Sequence, residues 1–199
     1  MAKYNAIAQV SNALIELLQT AMTGREDVIS LDRNEIVLSS PDNVGSNADT
    51  RLSLYLYNIE RSKHQETATI TESNTRQAPS LALNLHYLLT AYPSTSGANE
   101  TTNMQDQHNA LGLAMQVLHD NSVLTDEHLD KSFETDTHMT ISMNADSEGA
   151  VSRIWNSFQN VPRYPSVTYE VGPIRIDSRR EEPVHRVREK TVKSEQKDI

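Results

Sequence analysis

The chain has 199 residues, a net charge of −9 and an apolar fraction of 37%, with two Phe and one Trp. One sizeable core is expected, built from Leu, Ile, Val, Met and Tyr, with long polar stretches outside it. The sequence contains no cysteine, which excludes a disulfide framework, a thiolate metal site and a thiol nucleophile. Its acidic balance argues against nucleic acid as a partner, because such proteins need a basic footprint. No apolar run reaches the roughly 18 residues of a membrane span and no signal-peptide pattern opens the chain, so no membrane partner is expected either.

Ile7, Val10, Leu14, Leu17 and Ala21 recur at three- and four-residue steps, predicting a core-facing helix from about Asn5 to Met22 that stops at Gly24. Two short strands are expected next, over 28–31 and 35–39, joined as a hairpin through Asp32-Arg33-Asn34. From Arg51 to Arg61 the pattern predicts a strand with Leu52, Leu54 and Leu56 on one face and Ser53, Tyr55 and Tyr57 on the other. The aliphatic face suits a helix-covered core. The tyrosine face suits either packing or contact with a partner, because Tyr carries a polar tip on an apolar body, and Tyr55 and Tyr57 are candidate partner contacts.

Residues 62–79 hold a single large aliphatic, Ile70, and are expected to form an exposed loop or arm. Ser80 to Tyr92 alternates again, with Leu81, Leu83, Leu85, Tyr87 and Leu89 on one face and Leu88 on the other, as in a central strand covered on both sides. A second flexible region, 94–103, precedes a helix from about Met104 to His119 whose buried stripe is Leu111, Ala114, Met115 and Leu118, stopped at Asn121. A short helix is expected within 123–133, a strand at Met139 to Met143, and a helix over 147–158 that is N-capped by Asp146 or Ser147 and turns Val151, Ile154, Trp155 and Phe158 inward.

The last strand, 166–177, changes face at Gly172-Pro173, which predicts a bulge at a sheet edge or a departure from the sheet. Residues 178–199 carry seven Lys and Arg against five Asp and Glu, +2 against −11 for 1–177. They read as a basic extension that orders only on a partner. Two parts result: an α/β domain, 1–177, and a C-terminal arm, 178–199.

Catalytic signatures are missing. No glycine-rich phosphate loop and no Gly-x-Ser-x-Gly occurs among only six glycines. His108, His119, Asp120 and His128 match no metal-ligand spacing and are read as solvated, so no metal and no cofactor is expected. His86 has no nucleophile assignable to it and is read as a hydrogen-bonded histidine of a sheet face. The Asn99-Glu100-Thr101 sequon is read as accidental.

Four segments, in order, resemble a known family: Asn5 to Leu18, Arg51 to Tyr57, Leu83 to Tyr92 with Ala114 to His119, and Trp155 leading to Tyr164 through Val171. Together they resemble the N-terminal domain of the cap, or tail terminator, of extracellular contractile injection systems. These are phage-tail-like particles of the antifeeding-prophage and Photorhabdus virulence cassette kind, and the likeness covers about residues 4–177. It implies an α/β (α+β) protein with a mixed, mainly antiparallel sheet flanked by helices. It also implies a non-enzymatic subunit, made in the cytoplasm, that forms a hexameric ring on a released particle and ends its inner tube and contractile sheath. On that reading the arm reaches a sheath subunit, and Arg179, Arg180, Arg186, Arg188 and Lys190 meet an acidic surface. The alternatives are the terminator of a contractile virus tail, a small ligand-binding or hydrolytic α/β domain with His86 and the tyrosines lining a pocket, and a soluble adaptor.

Overall fold

A computed structural model describes residues 4–24, 29, 31–44, 49–63, 69–70, 75–95, 99–125, 139–144 and 147–183. In chain order the elements are α1 (Ala6–Met22), β1 (Ile36–Leu38), α2 (Pro41–Val44), β2 (Leu52–Arg61), β3 (Thr69–Ile70), β4 (Thr75–Gln77) and β5 (Leu81–Ala91). They continue with α3 (Glu100–Asp120), β6 (Val123–Leu124), β7 (Met139–Met143), α4 (Ser147–Ser157), β8 (Ser166–Ile176) and β9 (Glu181–Pro183). Six strands form one sheet in the order β1-β2-β5-β8-β7-β6, and β3-β4-β9 form a small second one. Every pairing is antiparallel except β1 with β2.

The long strands form because their alternation satisfies two faces at once. Leu52, Leu54, Leu83, Leu85, Tyr87, Leu89, Val171 and Ile174 point to a large aliphatic core beneath α1 and α3. Leu88 points the opposite way, into a smaller aromatic cluster with Val151 and Trp155 of α4. The central position expected for β5 is confirmed, since β2 and β8 flank it over almost its whole length. On α1 the buried line is Ala6, Val10, Ala13, Leu14, Leu18 and Met22, while Ile7, Leu17 and Ala21 pack at its margin. Its stop is as expected: Gly24 sits at φ +78, the left-handed region glycine enters freely.

Polar groups trapped by this core pair across elements in two places, although Gln107 Oε1 has no hydrogen-bond partner among the described residues. Ser11 Oγ donates to the Ile7 carbonyl at 3.0 Å and shares a 2.8 Å hydrogen bond with the Tyr87 hydroxyl. Gln107 Nε2 donates to the Ala91 carbonyl at 2.7 Å, joining α3 to the end of β5. Burial pushes the Tyr87 hydroxyl up to about 12, with the Ser11 bond opposing the shift.

Several elements differ from the sequence expectation. Among the described residues the hairpin expected over 28–39 is not seen: Ile29 and Leu31 lie outside any strand, 33–35 are a single 3-10 turn, and β1 runs parallel to β2, while 28 and 30 lie outside the described residues. The Glu35 carboxylate accepts from the Asp32 N–H at 2.6 Å and holds that turn, while Gln19 Nε2 donates to the carbonyls of Arg33 and Ile36, tying the segment to α1. Helix α3 starts four residues before the expected Met104, within the stretch expected to be flexible, because Asn99 caps it by accepting from the Thr102 N–H at 2.9 Å. Its buried line is Gln107, Ala110, Leu113, Ala114, Val117 and Leu118, with Leu111 and Met115 half-buried. Asn121 closes the helix as expected, donating from Nδ2 to the Val117 carbonyl.

The expected helix over 123–133 begins instead as β6, paired with β7, and 126–133 lie outside the described residues. The polar 62–79 stretch contains β3 and β4, so it is not wholly loop. Near the start of the expected arm, β9 pairs with β4 of the same chain, and Ala78 N–H donates to the Arg180 carbonyl at 3.0 Å; 184–199 lie outside the described residues.

Strand β8 is interior, not an edge, and the bulge is present: Gly172 and Pro173 together oppose Asn84. Among the described residues pairing with β7 ends at Gly172, so Pro173, which has no N–H, follows the last paired position on that side. A Cβ on Gly172 would lie 2.7 Å from Asn84 Oδ1, which is why a glycine stands there.

Candidate functional site: a polar pocket beneath the first turns of α4

The face of the sheet that carries Tyr55 and Tyr57 is a surface of two halves. One half is closed by α4: Trp155 is 6% exposed, packs edge-on to Phe158 and Tyr164, and donates from Nε1 to Ser166 Oγ at 3.2 Å. Tyr55 is half-buried against Phe158, with ring centroids 6.1 Å apart. The expectation that Trp155 anchors a core is therefore met, and the tyrosine face is a packed surface over this half.

The other half is polar, and a second bulge creates it. Along β2 the register passes from Leu56 opposite Tyr87 to Asn58 opposite His86, leaving Tyr57 as the extra residue. Parity flips there, so Asn58 and Glu60 join Tyr57, His86 and Asn84 on the α4 side, while Ile59 turns to the other face. Ala150, Arg153 and Ile154 of α4 and Asn144 after β7 complete a pocket of about 450 Å3 lined by Tyr57, Asn58, Glu60 and His86.

Its polar groups are mostly spoken for. Asn58 Nδ2 donates to Glu60 Oε1 at 3.0 Å, and Asn84 Nδ2 donates to Glu170 Oε1 at 2.6 Å. Burial raises the Tyr57 hydroxyl above its ordinary value, with its bond to Asn144 acting against the shift. His86 differs. It is 7% exposed, its ring lies 6.0 Å from that of Tyr57, and its Nε2 has no hydrogen-bond partner among the described residues. The nearest carboxylate oxygen, Glu60 Oε2, is 3.6 Å away, beyond hydrogen-bond reach, and that side chain is 63% exposed. A buried polar atom left this way costs about 1–3 kcal/mol, so the arrangement calls for an occupant.

The residues singled out from sequence fall in separate places. Tyr57 lines the pocket and Tyr55 the packed half. Arg179 and Arg180 are exposed beyond the end of β8, and Arg186, Arg188 and Lys190 lie outside the described residues. His108, His119 and Asp120 are exposed on α3, and His128 is outside the described residues. Among the described residues no three His, Asp or Glu side chains are grouped to hold a metal, and no helix is long and apolar enough to cross a membrane. The pocket lining offers no serine or threonine hydroxyl beside His86. Asn58, Glu60, Asn144 and Arg153 are the site residues the sequence reading missed. The signal for the first two was available: Ile59 falls out of phase with Leu52, Leu54 and Leu56.

A family model for the Pvc16 N-terminal domain matches residues 9–190. The chain belongs to that family. The Pvc16 N-terminal fold is also visible in solved structures. A PVC sheath/tube terminator of an extracellular contractile injection system, in its extended state, matches 98% of this chain with a TM-score of 0.60 and 15% identity. The tube-terminating cap of the anti-feeding prophage matches 93% of it with a TM-score of 0.61 and 17% identity. The chain spans 65% and 60% of those two chains. No curated protein matches the sequence. The mixed, mainly antiparallel α/β fold is thus that of tube terminators, and the Pvc16 match runs past β9 into the basic arm.

Proposed function

We propose that this chain is a structural, non-enzymatic cap subunit that ends the inner tube and contractile sheath of a phage-tail-like contractile injection particle. The observation that carries the reading is the family match over 9–190, together with a fold shared across nearly the whole chain with two tube terminators. The subunit is made in the cytoplasm and leaves as part of the released extracellular particle. Six copies close a ring through one repeated heterologous contact, which cyclic symmetry permits with a single pair of surfaces.

The arm follows from the same reading. It extends to a sheath subunit, where Arg179 and Arg180, just before β9, and Arg186, Arg188 and Lys190, after it in sequence, meet an acidic surface. The body, at −11, attracts no such surface to itself, which leaves the +2 arm as the part of the chain fitted for the contact.

The test is the mass of the full chain in solution, with negative-stain images taken with and without inner-tube protein. Six-fold rings, alone or at tube ends, are expected. A monomer that ignores tube ends overturns the proposal. Deleting 184–199, which leaves β9 intact, is expected to release the sheath while sparing the ring; unchanged sheath attachment removes the arm from the contact.

A further inference from the structure

We propose that the pocket beneath the first turns of α4 receives a single arginine side chain from a second copy of this chain. The occupant's chemistry follows from what already lines the space. Glu60 Oε2 and His86 Nε2 face one another at 3.6 Å, within ion-pair distance but without a hydrogen bond. A carboxylate only accepts, so a group seated against both must donate to Glu60. Its other oxygen already accepts from Asn58, and the Asn84 amide donates to Glu170.

A guanidinium supplies that donor in the right form. Its planar fork sets two N–H groups side by side, one for Glu60 Oε2 and one for the imidazole lone pair of His86, and its aliphatic stem lies along Tyr57 and Ile154. Lysine offers a compact ammonium that is held more strongly by water and cannot bridge two acceptors in a plane. Charge sets the count at one. Glu60 and Glu170, the latter opposite His86 on β8, favour a cation, while Arg153 on the α4 wall disfavours a run of them. The bulge at Tyr57 is the structural device, because without it Glu60 would face the aliphatic side of the sheet.

Several features point to a second copy as the source. The chain exposes Arg61 and Arg163 on its strongly acidic body, and Arg179 and Arg180 at the start of its arm. Pocket and arginine on different parts of one surface are what a repeated heterologous contact uses. This assignment of the source rests on the ring reading above; the guanidinium chemistry does not.

Two measurements on the full chain test it. In the first, the His86 ring resonances, identified by their loss in a His86→Asn variant, are followed during titration with N-acetyl-arginine amide and, separately, with acetate. A saturable shift with the arginine probe, weakened at least tenfold in Glu60→Gln and absent with acetate, is expected. Saturation by acetate, or no response to arginine, overturns the chemistry.

In the second, a photo-crosslinking residue replaces Asn58 in a mixture of isotopically heavy and light copies. Heavy-to-light crosslinks to an arginine-containing peptide are expected, and crosslinks confined within one copy or reaching only another protein overturn the source. Because the arginine titration needs no ring, a failed cap reading and a failed pocket leave different results.

Discussion

On the α1 and α3 side of the sheet, aliphatic side chains fill the space, and Ser11, Tyr87 and Gln107 Nε2 find partners there, although Gln107 Oε1 has no hydrogen-bond partner among the described residues. On the α4 side, one half is aromatic and closed and the other is a polar pocket in which His86 Nε2 lies 3.6 Å from Glu60 Oε2 without a hydrogen bond. The same three long strands, β2, β5 and β8, build both. What separates them is the pair of bulges at Tyr57 and at Gly172-Pro173, which redirect side chains only where β5 carries Asn84 and His86. The large aliphatic core lies on one face and the polar pocket on the other.

Neighbouring leucines of β5 probe that division most sharply. Leu88 and Leu89 are both 0% exposed but point to opposite faces. Leu89→Ala is expected to cost about 3–5 kcal/mol and Leu88→Ala about 2–3 kcal/mol, since the small cluster beside an open pocket can collapse or admit water. Chemical denaturation of both variants checks this, and equal losses would erase the distinction between the faces. Gly172→Ala comes next, at about 1–3 kcal/mol, because the new methyl meets Asn84 Oδ1 and the β8 bulge must shift.

Tyr87 tests the pairing within the dry core. Tyr87→Phe is expected to lower stability by about 1 kcal/mol, the worth of the Ser11 bond. The pH dependence has a definite sign. Burial raises the Tyr87 and Tyr92 hydroxyls to about 12, above an ordinary 10, so their contribution is complete below pH 10 and is lost as pH rises through 12. Alkaline unfolding followed by phenolate absorbance should show that loss, reduced in Tyr87→Phe. The smallest effect lies away from both faces: Asn99→Ala is expected to cost about 1 kcal/mol by uncapping α3, read as a lowered midpoint with an unchanged denaturant slope.

The legible parts of the fold were those where one side chain pattern carries the answer. Leu52, Leu54 and Leu56, the run from Leu81 to Leu89, and Trp155 with Phe158 announce their elements because burial imposes a period. The partner of a strand has no period, and so the parallel pairing of Ile36–Leu38 with β2 was not legible. The first turn of α3 is polar, so only its Asn99 cap marked it. β4 and β9 expose no apolar alternation, and their pairing is carried by backbone. In the pocket, His86 was visible as a polar residue on an apolar strand, but Asn58, Glu60, Asn144 and Arg153 reach it from three other parts of the chain. Only Ile59, out of step with Leu56, betrayed the bulge that gathers them.

The most direct measurement of the central claim is the length of inner tubes grown from purified tube protein with and without the full chain. A cap predicts that tubes stop growing once the chain is added, with the protein found at one end. Tubes that keep elongating at an unchanged rate, with the chain left in solution, would contradict it.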